Sequence, residues 1–232
     1  MTMPNPFSST SAPVLEAIRD QHLEQQARAL YSDDLPYHNF NHVLETLSAA
    51  NTIVERCQVE HIRIDQQVVY LALLFHDAGY HEDHQALGHP SKEAYSAALA
   101  TQVLNEAGFS SAQIRKCSDA IMATHRDGDF VTTEQKAVRA ADLSGMAADY
   151  PVFLESSMRL RRELEILTGN SVSWSKWQQN SRDVLGFYLS QEIRLTSFYH
   201  DKDGNSTFHS RLQDNLARLL SEPKEPQKPA DS

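Results

Sequence analysis

Cysteine is nearly absent from this chain: of 232 residues only Cys57 and Cys117 carry thiols, and no CxxC spacing joins them. That argues against a disulfide framework, and both read as ordinary thiols of a reducing compartment. Long apolar runs are missing too, with no stretch of about eighteen residues that could span a bilayer. The first residues lack a charged region followed by an apolar stretch, so no targeting segment is expected and a cytoplasmic location is. Basic residues are in deficit: 21 Lys and Arg against 31 Asp and Glu leave a formal net charge of −10. So acidic a surface repels nucleic-acid backbones, and no stable nucleic-acid partner is expected. A small phosphorylated substrate stays open, because a bound cation can reverse the local field.

What is present is 41% hydrophobic residues, enough for one sizeable core. No convincing strand pairs, internal repeats or low-complexity blocks are found, and the apolar spacing is helical. The expectation is an all-α, single-domain helical bundle over residues 13–221, with a flexible segment at 1–12 and a disordered tail at 222–232. Helices are expected at about Ala12–Leu30, from YHNFNH (37–42) onward, and over Asp65–Asp77, Ser91–Glu106, Ser110 towards His125 and Thr133–Tyr150. Two or three more should follow between Pro151 and Leu220, interrupted near Gly169 and at DKDGN. Ala78–Pro90, with two glycines and three histidines, reads as a loop. Trp174 and Trp177 read as packing residues.

The most informative feature is His76–Asp77, directly after VVYLALLF (68–75). A carboxylate at the end of so apolar a helix is costly to desolvate without a cation or strong hydrogen bonds. Neighbours on a helix diverge by about 100°, so both reach one ion only where the helix ends, and Gly79 allows that ending. Asp142 lies in a small apolar face with Val138, Ala141 and Gly145. His42 follows His38 by one turn, so His38 reads as a partner in ion binding or as a group that orients the site. Two imidazoles and two carboxylates from three helices suit a divalent transition metal such as Mn, Fe, Ni, Co or Zn. The lack of thiols argues against a closed structural zinc site.

In order along the chain, YHNFNH (37–42), LALLFHDAGY (71–80), KEAYSA (92–97), IMATH (121–125) and AADLSGM (140–146) resemble the HD superfamily of metal-dependent phosphohydrolases. The likeness is closest to its small bacterial branch, and it continues more weakly through RRELE (161–165) and RLQDNLARLL (211–220). The resemblance implies an all-helical HD-type fold and metal ligands at His42, His76, Asp77 and Asp142. It departs after the pair, where relatives carry an Asn-Glu-containing stretch and this chain carries His81, His84 and His89, while Glu93 and Ser96 keep part of the pattern. Some HD enzymes hold a second ion through extra histidines, for which His81, His84, His89 and His125 are candidates.

The expected activity is hydrolysis of a small, nucleotide-like phosphate ester or anhydride by a metal-activated water. Asp77 would serve as ligand and base, with His125 or Glu93 as helper, and His38, Lys92 and Arg126 would bind substrate. Arg139 and Arg182 are further candidate cations for the phosphate, and the reading leaves room for a homodimer. The alternatives are a non-haem di-iron oxygenase on the same fold and a non-catalytic HD-fold binding module.

Overall fold

The computed structural model describes residues 14–223, so the segment 1–12 and most of the expected tail lie outside the described residues. Among them are nine α-helices and no strand. They are α1 (Gln21–Arg28), α2 (Phe40–Val59), α3 (Gln66–Phe75), α4 (Lys92–Glu106), α5 (Ser111–Met122), α6 (Thr133–Asp142), α7 (Tyr150–Thr168), α8 (Trp174–Leu189) and α9 (Thr207–Ser221). The all-α expectation holds.

Local chemistry starts most of these helices. Asp20, Asn39, Asp65, Ser91, Ser173 and Ser206 each accept a hydrogen bond from a backbone N–H in the first turn that follows. Ser110 with Gln113 and Thr132 with Gln135 form full capping boxes. Each cap is worth about 1 kcal/mol, because it satisfies donors the helix itself cannot.

The helices gather in two compact units. The first holds the chain up to Ser144 together with Ile193–Phe198, and the second holds Gly145–Glu192 and the residues from Tyr199 on. In the first unit α3 packs against α1, α2, α4, α5 and α6. Each residue from Val68 to Phe75 is at most 2% exposed, as expected of a helix apolar on all sides. At about 1.5–3 kcal/mol per large apolar side chain, this burial fixes α3 as the post on which the unit is built. Residues 193–198 are fastened where Glu60 accepts from the Ser197 and Phe198 N–H groups at 2.8 and 3.1 Å.

In the second unit α9 packs against α7 and α8, around Tyr150, Phe153, Leu185, Leu212 and Leu219. Both tryptophans pack there. Trp177 donates to the Ser157 hydroxyl at 2.9 Å and Trp174 to the Glu222 carbonyl at 3.1 Å.

Two expected helices are divided. The first becomes a 3-10 turn, Glu16–Ile18, and then α1. Asp20 stops the continuous helix by capping α1, and Arg19 lies extended before it to bond both Glu16 and Glu24. The expected Thr133–Tyr150 helix ends at Asp142, tightens into a 3-10 turn over Leu143–Ala147 and restarts at Tyr150 with a proline in its first turn. Proline suits the first turn of a new helix and cannot extend an old one.

Candidate metal centre

α2, α3 and α6 each pack against the other two, and their ends bring four side chains together. Asn39 caps α2 and sets His42 in its first turn, 3% exposed. α3 closes with His76 at its C-cap, 1% exposed, and Asp77 is the next residue. The chain then turns sharply: Gly79 adopts φ +73°, and its N–H donates to the Leu30 carbonyl at 2.8 Å. Ser96 locks the turn from α4, its hydroxyl donating to the Ala78 carbonyl at 2.8 Å. The helix ends at the pair, and the turn brings the Asp77 carboxylate against the His76 ring, although Asp77 is not one of the three residues whose ligand atoms cluster most tightly. Asp142 is the last residue of α6.

His42, His76 and Asp142 each present one ligand atom, all within 4.8 Å of one another, so this cluster could hold a metal ion. His42 Nε2 lies 3.3 Å from Asp142 Oδ1 and 3.8 Å from Asp77 Oδ2. His76 Nε2 lies 3.1 Å from Asp77 Oδ2 and 3.6 Å from Asp142 Oδ1. The His76 tautomer is decided by its other nitrogen, where Nδ1 donates to the Leu73 carbonyl at 2.7 Å. A backbone carbonyl only accepts, so in the neutral ring Nε2 carries the lone pair.

Two buried atoms, His76 Nε2 and Asp77 Oδ2, therefore face each other without a hydrogen-bond partner. With the ring neutral, two buried acceptors face each other at a cost of about 1–3 kcal/mol each, and a proton or a metal cation between them removes that cost. The donor set fits a divalent ion: imidazole nitrogens and carboxylate oxygens, with one imidazole oriented by a backbone carbonyl in the usual manner of a metal-bound histidine.

The electrostatics agree. Burial pushes the two carboxyls up, yet the imidazoles hold both below the usual carboxylate range; for Asp77 the charges of His76 and His38 act, and for Asp142 the neighbouring rings of His42 and His76. Burial works to lower the imidazoles, and the carboxylates outweigh it. His42 is raised chiefly by Asp142, with Glu45 adding to it, and His76 chiefly by Asp77. Two carboxylates, only partly exposed, on the same pair of imidazoles call for positive charge.

An aromatic wall surrounds the cluster. Tyr31 donates to the Leu74 carbonyl at 3.1 Å, and burial, with the nearby Asp77 charge, keeps its phenol protonated. Tyr37 lies 4.6 Å from the His42 ring, and His38 stacks on Tyr80 with centroids 3.8 Å apart at 12°. His38 precedes α2 rather than sharing its first turn with His42, and the two rings meet edge to face at 5.9 Å. Nothing local in the sequence marks Tyr31, Tyr37 or Tyr80 for the site, although Tyr37 and Tyr80 lie inside the motifs above, because their partnerships span up to 46 residues.

Other expected residues stand elsewhere. Among the described residues no group of three metal-binding side chains includes His81, His84, His89 or His125. His81 lies 3.1 Å from Glu82, and His89 packs its ring 5.0 Å from Tyr95. His125 sits in the turn after α5, its Nδ1 accepting from the Asp127 N–H at 3.2 Å, and neither it nor Glu93 bonds to the cluster. Lys92 donates to the Tyr80 carbonyl at 2.6 Å. The Arg126 side chain is exposed, and Arg182 lies exposed on α8 in the second unit. Arg139 is 1% exposed and donates to the carbonyls of Ala123, His125 and Arg126 at 2.6, 2.7 and 2.9 Å. It binds together the turn that ends α5, which commits its guanidinium to the backbone rather than to a phosphate.

Cys57 and Cys117 are buried free thiols, and among the described residues no helix is long and apolar enough to cross a membrane. No family model matches the chain, and no curated protein matches it.

Proposed function

We propose that the chain is a metal-dependent phosphohydrolase acting on a small phosphorylated, nucleotide-like substrate, as its resemblance to HD-type enzymes implies. The observation that carries the reading is the pair of buried, partnerless acceptors, His76 Nε2 and Asp77 Oδ2, beside His42 and Asp142. His42, His76, Asp77 and Asp142 would hold the ion, and their nitrogen and oxygen donors suit Mn, Fe, Co, Ni or Zn. When bound, such an ion supplies a water of lowered pKa and polarises a phosphoryl oxygen.

The protein's own groups do the rest. His42 and His76 offer lone pairs from rings fixed by burial, and Asp142 closes the cluster from α6. Asp77 has a second carboxylate oxygen to take the proton of the attacking water. The water oxygen bonds to phosphorus, the bond to the leaving oxygen breaks, and that oxygen leaves with the proton that Asp77 took up. The acidic chain favours a small substrate over a polymer, since local charge reversal reaches only about a Debye length. Two buried free thiols agree with a cytoplasmic setting. A di-iron oxygenase would need a second ligand set, and the extra histidines are not gathered into one among the described residues.

Metal-stripped protein reloaded with Mn²⁺, Co²⁺, Ni²⁺, Zn²⁺ or Fe²⁺ and offered nucleoside mono- and triphosphates, cyclic nucleotides and a generic ester tests this directly. Phosphate or pyrophosphate release should require the ion and drop at least a hundredfold in His76→Ala and Asp77→Ala. No release with any ion would end the reading, and two irons per chain with oxygen uptake would replace it.

A further inference from the structure

Tyr80 is held from both sides. The His38 ring is stacked on it 3.8 Å away, and the Lys92 ammonium lies 3.5 Å from the same ring's centroid. Two groups that close cannot share one face without overlapping, so His38 and Lys92 cover opposite faces. Lys92 is fixed a second time by its bond to the Tyr80 carbonyl, and Tyr80 is tied to the centre by its own N–H, which donates to the Asp77 carbonyl at 3.1 Å. Beyond the sandwich, His38 meets the edge of Tyr37 at 4.8 Å and the ring of His42 at 5.9 Å.

We infer that Tyr80 and Lys92 are positioning residues: Lys92 clamps Tyr80, and Tyr80 holds His38 in fixed register beside Asp77 at the metal centre. The inference rests on the hydrolase reading for its catalytic consequence alone. It gives Lys92 a different task from phosphate binding, and it means that neither face of Tyr80 is open to stack a base. An ammonium over a tyrosine face is itself stabilising, and the stack limits His38 to one orientation, which is what a group working at a reaction centre needs.

The test uses the full chain with Tyr80→Phe, Tyr80→Leu and Lys92→Met. In metal-stripped protein the His38 ring protons, identified as the NMR signals missing from His38→Gln, should be shifted upfield by the tyrosine ring current. Tyr80→Phe should keep that shift, Tyr80→Leu should abolish it and Lys92→Met should weaken it. In metal-loaded protein on p-nitrophenyl phosphate, Tyr80→Leu and Lys92→Met should lower kcat about tenfold with little change in KM, and Tyr80→Phe should stay near the parent. Should Tyr80→Leu lose its fold, Lys92→Met carries both readouts.

A Lys92→Met enzyme that raises KM while kcat and the His38 shift stay unchanged overturns the inference and restores a phosphate-binding lysine. Absence of the upfield shift in the parent protein overturns it as well. If the parent turns over no phosphate ester but shows the shift, and Tyr80→Leu removes it, the hydrolase reading falls while the positioning of His38 stands.

Discussion

Arg139 and the clustered histidines show how differently single residues reveal themselves. A cation in KAVRAADLSGM looks the same from sequence whether it meets solvent, a phosphate or a carbonyl, so its task emerges only when α6 is laid beside the end of α5. Its replacement should be severe. Arg139→Met leaves three carbonyls of that turn without their charged donor, at a cost of about 3 kcal/mol or more. Arg139→Lys should recover less than half of this, because an ammonium lacks the planar fork. Urea unfolding would read both, and a loss under 1 kcal/mol in the methionine variant would contradict the role.

The His-Asp pair, by contrast, was legible because titratable residues after seven apolar neighbours are expensive without a partner. Its pH behaviour follows from the raised imidazoles and lowered carboxyls. A raised pKa means that His42 and His76 still carry protons above the usual value of about 6.5, and an incoming ion must displace them. Metal affinity should therefore rise with pH through and above that value and fall below it, with protons released on binding. Calorimetric titration in two buffers of different ionisation enthalpy counts those protons. A buffer-independent heat at neutral pH would contradict the prediction.

Among the elements, α3 could be read almost residue for residue, as could the caps at Ser91 and Ser110, because burial on all sides and N-terminal capping are local in sequence. The division at Asp142 could not. Helical spacing runs on through Leu143 and Met146, and only the restart at Tyr150–Pro151 shows where the chain must turn.

The turn after α3 offers the sharpest test at this scale. A Cβ at Gly79 would come within 2.5 Å of Tyr95 and 2.8 Å of Leu99, and φ +73° already disfavours any side chain. Gly79→Ala should cost about 2–4 kcal/mol and loosen the candidate metal site with it. Thermal unfolding with and without Co²⁺ would show both, as a lower Tm and a smaller ligand-induced rise.

For the molecule as a whole, all-helical architecture followed from the helical apolar spacing and the missing strand pairs. How the chain distributes itself into two units did not, since the division falls in a short 3-10 turn and leaves no change of composition to find. Both thiols lie in the first unit, fully buried, and burial pushes Cys57 up to about 11 and Cys117 up to about 12. Raised values mean less thiolate at a given pH, so at pH 8 only about one Cys57 in a thousand would be in the reactive form. Native protein should therefore react with a thiol reagent only as fast as this unit opens, and denatured protein should react at once. Prompt labelling of either cysteine in the native state would contradict so closed a core.

Because His76 and Asp77 end a helix gripped on every side, their aim is set by how many residues precede them. One residue inserted into or deleted from 66–75 would swing the pair by about 100° and move it about 1.5 Å along the axis. No neighbouring helix could follow such a change. Length variation should therefore be lethal to the site within this stretch and harmless in the exposed turns of 81–89, so the tolerance of the chain to gaps maps where its chemistry is anchored.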